Sequence, residues 1–294
     1  MNLRAAIVAL LQHERLNFAL TNLIPRRSLT LFMGWFSKIR HPWVSTISIT
    51  AWRFFADVDL RDASKEGYES LHECFTRALR PGARPVDRDP TVLVSPCDAL
   101  IGANGPVSDG TVLQAKGQPY ALAELFGDAE LARHYRYGTY VTLRLTAGMY
   151  HRFHAPHDCR VAQVNYFSGD TWNVNPIALA RVARLFCKNE RAVIRCRLEC
   201  SDALVTLVPV AAILVASIRL HFLDTAMHLR YRGPGAFECD VPLSKGAEMG
   251  WFEHGSTLLL FAPADYELIS GLEPGSRIRM GEALLRIASG GGRG

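Results

Sequence analysis

From residue 91 onward the chain is a succession of short runs rich in Val, Leu, Ile, Thr and Tyr, punctuated by Gly, Pro and Asp. That pattern restricts most of the molecule to a sheet-built fold. Residues 138–145 (Gly-Thr-Tyr-Val-Thr-Leu-Arg-Leu) alternate as a half-buried strand should. Further strands are expected over 91–94, 161–166, 192–197, 204–208, 211–219 and 257–261. The longest uncharged stretch, 203–218, is 16 residues, short of the ~18 or more that a membrane span requires. Pro209 breaks it, so two buried strands are expected there. Helical interruptions are expected over 122–132 and 176–185. The class is α+β: a β-dominated main domain preceded by amphipathic N-terminal helices.

The helices come first. Leu31, Phe32, Trp35, Phe36 and Ile39 fall at helical spacing within 28–40, with Lys38 and Arg40 off the stripe and Arg26-Arg27 just before it. Trp43, Ile47, Ala51, Phe54 and Phe55 repeat the pattern over 43–55, and Leu3, Ile7, Leu10 and Leu11 form a weaker version. The net charge of +5 is concentrated here, where Arg4, Arg15, Arg26, Arg27, Lys38, Arg40 and Arg53 face the single acid Glu14. Aromatic-rich helices with basic flanks suit the surface of an anionic bilayer. They equally suit packing of the apolar face against the rest of the protein. Phe, Trp and Leu outnumber the basic residues, which disfavours a nucleic-acid arm. The short apolar run 5–11 lacks a small-residue cleavage site after it. The seven cysteines show no Cys-x-x-Cys pair and are odd in number, as reduced thiols of a cytosolic setting would be. The organisation expected is therefore 1–56 as surface-seeking helices, 57–90 as a polar connecting segment, 91–288 as the main domain and 289–294 as a frayed tail.

Three stretches carry chemistry. In Phe252-Glu253-His254-Gly255-Ser256-Thr257 the serine follows a glycine, so little shields the preceding carbonyl from attack. A serine hydroxyl needs a base to act as a nucleophile. The second stretch, Met149-Tyr150-His151-Arg152-Phe153-His154-Ala155-Pro156-His157-Asp158-Cys159, holds three histidines, an aspartate and a cysteine. A metal site is one reading, but the usual zinc patterns are missing. A base and a proton donor with near-neutral pKa values is the other. Third, Asp98 follows a strand and a Ser-Pro turn, where it either caps the turn or orients a histidine, as in a Ser-His-Asp arrangement.

Together these stretches resemble the bacterial phosphatidylserine decarboxylases, in the branch whose processing motif is usually written Leu-Gly-Ser-Thr. The stretches that match, in order, are Val94-Ser95-Pro96-Cys97-Asp98, Leu113-Gln114-Ala115-Lys116-Gly117, Tyr150-His151-Arg152-Phe153-His154, Asn189-Glu190-Arg191 and Lys245-Gly246-Ala247-Glu248-Met249-Gly250, the last running into Gly255-Ser256-Thr257. The similarity runs from the N-terminal helices through Phe261-Ala262-Pro263. His254 stands where the family commonly has Leu, and Cys97-Asp98-Ala99 replaces a more usual small residue, Asp and Gly.

The resemblance implies two chemistries in succession, and makes 91–288 the catalytic domain. In the first, Ser256 attacks the Gly255 carbonyl, with His154 as base and Asp98 orienting it. An acyl shift and elimination cut the chain into 1–255 and 256–294, the second fragment beginning in a pyruvoyl group derived from Ser256. In the second, the pyruvoyl ketone forms a Schiff base with phosphatidylserine, carbon dioxide leaves, and His151 returns a proton to give phosphatidylethanolamine. The implied partners are phosphatidylserine in an anionic bilayer and the chain's own two fragments as a heterodimer, with a homo-oligomer compatible. The implied place is the cytoplasmic face of the inner membrane, peripherally bound, with no metal and no nucleic acid. Two other classes stay open. A Ser-His-Asp hydrolase would keep its chain intact, although no Gly-x-Ser-x-Gly elbow is present. A membrane-associated scaffold would leave Asp98, His151, His154 and Ser256 without a purpose.

Overall fold

The computed structural model describes residues 13–114, 118–214, 217–253 and 256–288. The β-type runs pair into an eight-stranded antiparallel sheet, Ala236–Leu243, Cys159–Phe167, Arg191–Leu198, Leu204–Ala211, Ser256–Ala262, Thr139–Arg144, Ala99–Pro106 and Arg277–Ile278 in spatial order. Ser256–Ala262 is central, with Leu204–Ala211 on one side and Thr139–Arg144 on the other. Its Leu258, Leu259, Leu260 and Phe261 are fully buried, which favours the strand by on the order of 6–12 kcal/mol. A four-stranded sheet, Ala226–Met227, Ile218–Leu220, Glu248–Phe252 and Arg152–His154, lies against it. The chain therefore crosses from one sheet to the other between Phe252 and Ser256. The strand that supplies His154 pairs with the strand just before this crossover. The class is α+β and β-dominated, as expected.

Three expectations change. Pro209 does not break the chain into two strands: it lies inside Leu204–Ala211, opposite Leu258. The missing N–H shows only on the other side, where the ladder passes from Arg191↔Val210 to Ile194↔Leu207 without a change of register. The strand ends at Ala211 instead. The helix expected over 122–132 is two short helices, Leu122–Phe126 and Ala129–His134. Gly127, at φ +64°, closes the first in a left-handed cap, and the Asp128 carboxylate accepts from the Glu130 and Leu131 N–H groups to start the second. The helix expected over 176–185 is likewise split, into Pro176–Arg181 and Leu185–Lys188.

The amphipathic helices form over Arg26–Phe36 and Pro42–Phe55, preceded by Glu14–Asn22. Their orientation is inverted relative to a helix packed on a core. The buried residues are Asn22, Thr30, Ser37 and Ser45, while Phe32, Trp35, Trp43, Ile47, Phe54 and Phe55 are exposed, Trp43 at 75%. Thr30 accepts the Leu214 N–H and lies beside Thr171. Two expected basic flanks turn inward. Arg26 pairs with Asp170 at 2.7 Å and lies over Trp172, and Lys38 pairs with Glu253 at 2.9 Å. No described helix is long and apolar enough to cross a membrane. The weaker stripe over 3–11 and the tail 289–294 lie outside the described residues.

Candidate active site

Backbone hydrogen bonds draw three of the motifs to the crossover. His154 N–H donates to Pro96 O (2.8 Å), Ala155 N–H to Ala247 O (2.8 Å) and Phe252 N–H to His151 O (3.0 Å). The turn before Asp98, the histidine strand and the approach to residue 256 are thus one hydrogen-bonded unit. Gly246 makes the turn at φ +82°, a region that favours glycine, with the Val86 methyls against the space a Cβ would take. The approach strand crowds as well: a Cβ at Gly250 would lie 2.0 Å from Arg219 O. His254 and Gly255 lie outside the described residues.

His154 is buried, and its two ring nitrogens have distinct partners. Nδ1 lies 2.9 Å from Gly246 O, which can only accept, so Nδ1 carries the proton. Nε2 then accepts from the Tyr150 hydroxyl at 3.1 Å. Burial holds the His154 pKa below the ordinary histidine value, and the Gly246 contact and the charges of Glu248 and Asp98 oppose it only in part. The ring is neutral at pH 7, the state a base needs. Burial pushes the Tyr150 phenol well up, so it remains a donor.

Asp98 stands near, but its hydrogen bonds go elsewhere. The Arg84 guanidinium donates to it from Nε (2.9 Å) and Nη2 (2.6 Å), and Met280 N–H donates at 2.9 Å. A planar cation outcompetes a neutral imidazole for a carboxylate. In this structure Gly246 and Tyr150 orient His154, and Asp98 acts on it through its field. Arg84 itself spans Asp98 and Asp62, which lifts its pKa. The segment expected to be only a connection thus reaches into the site.

His151 is fully buried against Phe75, ring centroids 4.0 Å apart. Its Nδ1 donates to Met149 O at 2.8 Å, so proton exchange falls to Nε2. Arg77, also buried, donates to the same Met149 O (3.3 Å) and to Gly148 O (3.1 Å), bracing the loop beneath the ring. The third histidine is structural: His157 Nε2 donates to Pro90 O at 3.0 Å. Among the described residues no group of three or more His, Cys, Asp or Glu side chains could hold a metal ion, and all seven cysteines are free thiols.

Ser256 begins the central strand opposite Ala211. Ala211 is itself pinned. Its N–H donates to Glu190 O (2.8 Å) and its carbonyl accepts from Asn189 Nδ2 (2.8 Å). Glu253, ahead of the crossover, is held by Lys38, its N–H donating to Ser217 O (2.9 Å). Sequence reasoning missed Arg77, Arg84 and Glu253, because their partners lie far away along the chain and leave no local signal. Gln114, in a quoted motif, proves structural: it donates to Leu179 O and Val182 O and accepts from Leu185 N–H.

Glu190 is fully buried, and burial lifts its pKa to about 7, offset only in part by Tyr166 and Arg27. A carboxyl whose folded pKa is raised holds its proton more tightly folded than unfolded. Its burial therefore costs stability as pH rises from about 4.5 to about 7, with a plateau of about 3 kcal/mol above that. Glu190→Gln is expected to raise the thermal midpoint by roughly 5 °C at pH 8, the difference closing toward pH 5. Equal midpoints at pH 8 by calorimetry would refute this account of the residue.

The sequence matches the family model described as phosphatidylserine decarboxylase over residues 71–286. It is 34% identical over 283 residues to the phosphatidylserine decarboxylase proenzyme of Erwinia tasmaniensis, covering 92% of this chain and 94% of that one. Proteins of the same name from Aliivibrio salmonicida and Pseudomonas aeruginosa are also 34% identical, over 94% and 92% of this chain and 99% and 96% of theirs.

Proposed function

The chain belongs to the phosphatidylserine decarboxylase family, a family of lyases, and we propose that it cuts itself between Gly255 and Ser256 and decarboxylates phosphatidylserine at a membrane surface. The observation that carries this reading is the hydrogen-bonded unit joining Pro96, His151, His154 and Phe252 at the crossover that leads to Ser256.

Each residue has a role its surroundings support. His154, neutral and with its proton fixed on Nδ1, takes the Ser256 hydroxyl proton at Nε2, the atom that now accepts from Tyr150. Asp98 makes that nitrogen more basic through space. The pinned Ala211 and Glu253 hold the chain on either side of the scissile bond, so attack starts from a fixed geometry. After cleavage the 256–294 fragment keeps its place as the centre of the sheet, through ladders on both sides and four fully buried side chains. Ser256 is suited to become the pyruvoyl group, since it begins the central strand opposite the pinned Ala211. That group would supply a conjugated carbonyl able to serve as the electron sink for the substrate. His151, braced by Met149 and Arg77, holds the proton that replaces carbon dioxide.

The helices complete the reading. Trp35, Trp43, Ile47 and Phe55 form an exposed apolar face that no described residue covers, and an apolar groove of about 540 Å³ runs between Phe36, Trp43, Ile47 and Leu71. Exposed faces of this kind seat in the headgroup region of a bilayer. Substrate then reaches the site without leaving the membrane.

Denaturing intact-mass measurement of the purified protein tests the proposal. Two chains meeting at Gly255–Ser256, the smaller beginning in a pyruvoyl group, are expected, with decarboxylation blocked by hydroxylamine. An active preparation of one uncut chain of 32.6 kDa would overturn it.

A further inference from the structure

An apolar cavity of about 440 Å³ lies between the helices and the Ser256 end of the sheet, walled by Met33, Trp52, Phe75, Leu145, Val174 and Ile213. It reaches the active site on two sides. Phe75 packs against His151, and the cavity also touches Ala212, next to the Ser256 partner Ala211. One cation lines it, Arg144. The ion pairs and hydrogen bonds of the described residues leave its guanidinium without a partner, unlike Arg77, Arg84 and Arg191, each bound to carbonyls or carboxylates. Burial lowers its pKa, and no carboxylate lies close enough to offset that. An arginine left half-buried and unpaired at the wall of a cavity costs stability that an anionic ligand would repay.

We infer that Arg144 anchors the phosphodiester of the substrate, setting the headgroup amine at residue 256; the inference rests on the function proposed above. Arg144 stands directly across from Thr257. Ser256 is the next residue along, and a serine headgroup separates its nitrogen from phosphorus by only two carbons and an ester oxygen, so a cation that holds the phosphate while the amine sits at residue 256 must lie close to this strand end. Arg144 is also poorly suited to the substrate carboxylate. A cation there would stabilise the ground state, whereas in the transition state that charge is moving away toward the cofactor. A planar guanidinium matches two phosphate oxygens. The apolar walls beside it accept the start of the acyl chains.

The test uses the full chain with Arg144→Met and Arg144→Lys, each first checked for self-cleavage by intact mass. Both are expected to cleave as the wild type does. With phosphatidylserine in mixed micelles, KM for Arg144→Met should rise roughly tenfold to a hundredfold, with a smaller loss for Arg144→Lys. With an O-alkyl serine, which keeps amine and carboxylate but lacks phosphate, wild type and both variants should perform alike. A penalty that persists with the phosphate-free substrate would mean Arg144 serves the carboxylate or the fold, and the inference fails. An unchanged KM for phosphatidylserine overturns it as well. Should Arg144→Met not cleave, the comparison of the two substrates is made with Arg144→Lys, whose deficit must again require phosphate. A wild type that neither cleaves nor releases carbon dioxide overturns the function itself, a result separable from every variant outcome.

Discussion

Ser256→Ala is expected to yield a single uncut chain of 32.6 kDa with no measurable decarboxylation. An alanine has no hydroxyl to attack the Gly255 carbonyl, so neither the ester nor the pyruvoyl group can form, and the loss is total rather than partial. The substitution should leave the fold intact, because the strand from Thr257 to Ala262 is held by ladders to Leu204–Ala211 and Thr139–Arg144 that involve only backbone. The uncut variant should therefore match the cut wild type in far-ultraviolet circular dichroism. A native mass of the wild type should show both fragments together, since four fully buried side chains of the smaller one lie at the centre of the sheet. Retained activity in Ser256→Ala would favour a scaffold with activity elsewhere. An intact wild-type chain labelled at Ser256 by a phosphonate would favour a hydrolase.

The two histidines should separate the two chemistries. His154→Asn is expected to slow self-cleavage by roughly a hundredfold to ten-thousandfold, the usual worth of a general base. His151→Asn should cleave normally and then fail at decarboxylation by a similar factor, because its role begins after the cofactor exists. Asparagine retains a side-chain N–H that can reach the carbonyl each ring now holds, Gly246 O or Met149 O, so packing is largely kept. The wild-type cleavage rate should also be flat from pH 7 to 8. Burial depresses the His154 pKa, so the base is lost to protonation only on the acid side, below the ordinary histidine value. A cleavage rate that climbs between pH 7 and 8 would contradict this assignment, as would His151→Asn remaining uncut.

Much of this was legible in residues alone, and the misses have physical causes. The strand expected over 138–145 appears as Thr139–Arg144 with its ends trimmed, but it is buried on both faces rather than half-buried, inside the sheet between two other strands. The misjudged Pro209 shows why local rules fail in a sheet: a missing N–H is tolerable where only one of two ladders needs it. The stripe of Phe32, Trp35, Trp43 and Ile47 could be read from spacing, but not the direction it faces. That depended on Thr30, Ser37 and Ser45 being the residues that dock. Asp98 and His154 were identified by motif, yet the ion pair that turns Asp98 toward Arg84 joins residues of unremarkable local sequence.

By itself the sequence determined the sheet-dominated class, the amphipathic pattern of the N-terminal helices and the residue types able to do chemistry, since each follows from local periodicity or from a side chain's own functional group. Tertiary structure alone decided which of those groups meet. It placed Gly246 and Tyr150 on His154, left Arg144 unpaired at a cavity, and put Ser256 where the chain crosses between sheets. The physical reason is that hydrogen bonds, burial and charge act over a few ångströms in space, whether the chain separates the two residues by four positions, as with Tyr150 and His154, or by 92, as with Gly246 and His154.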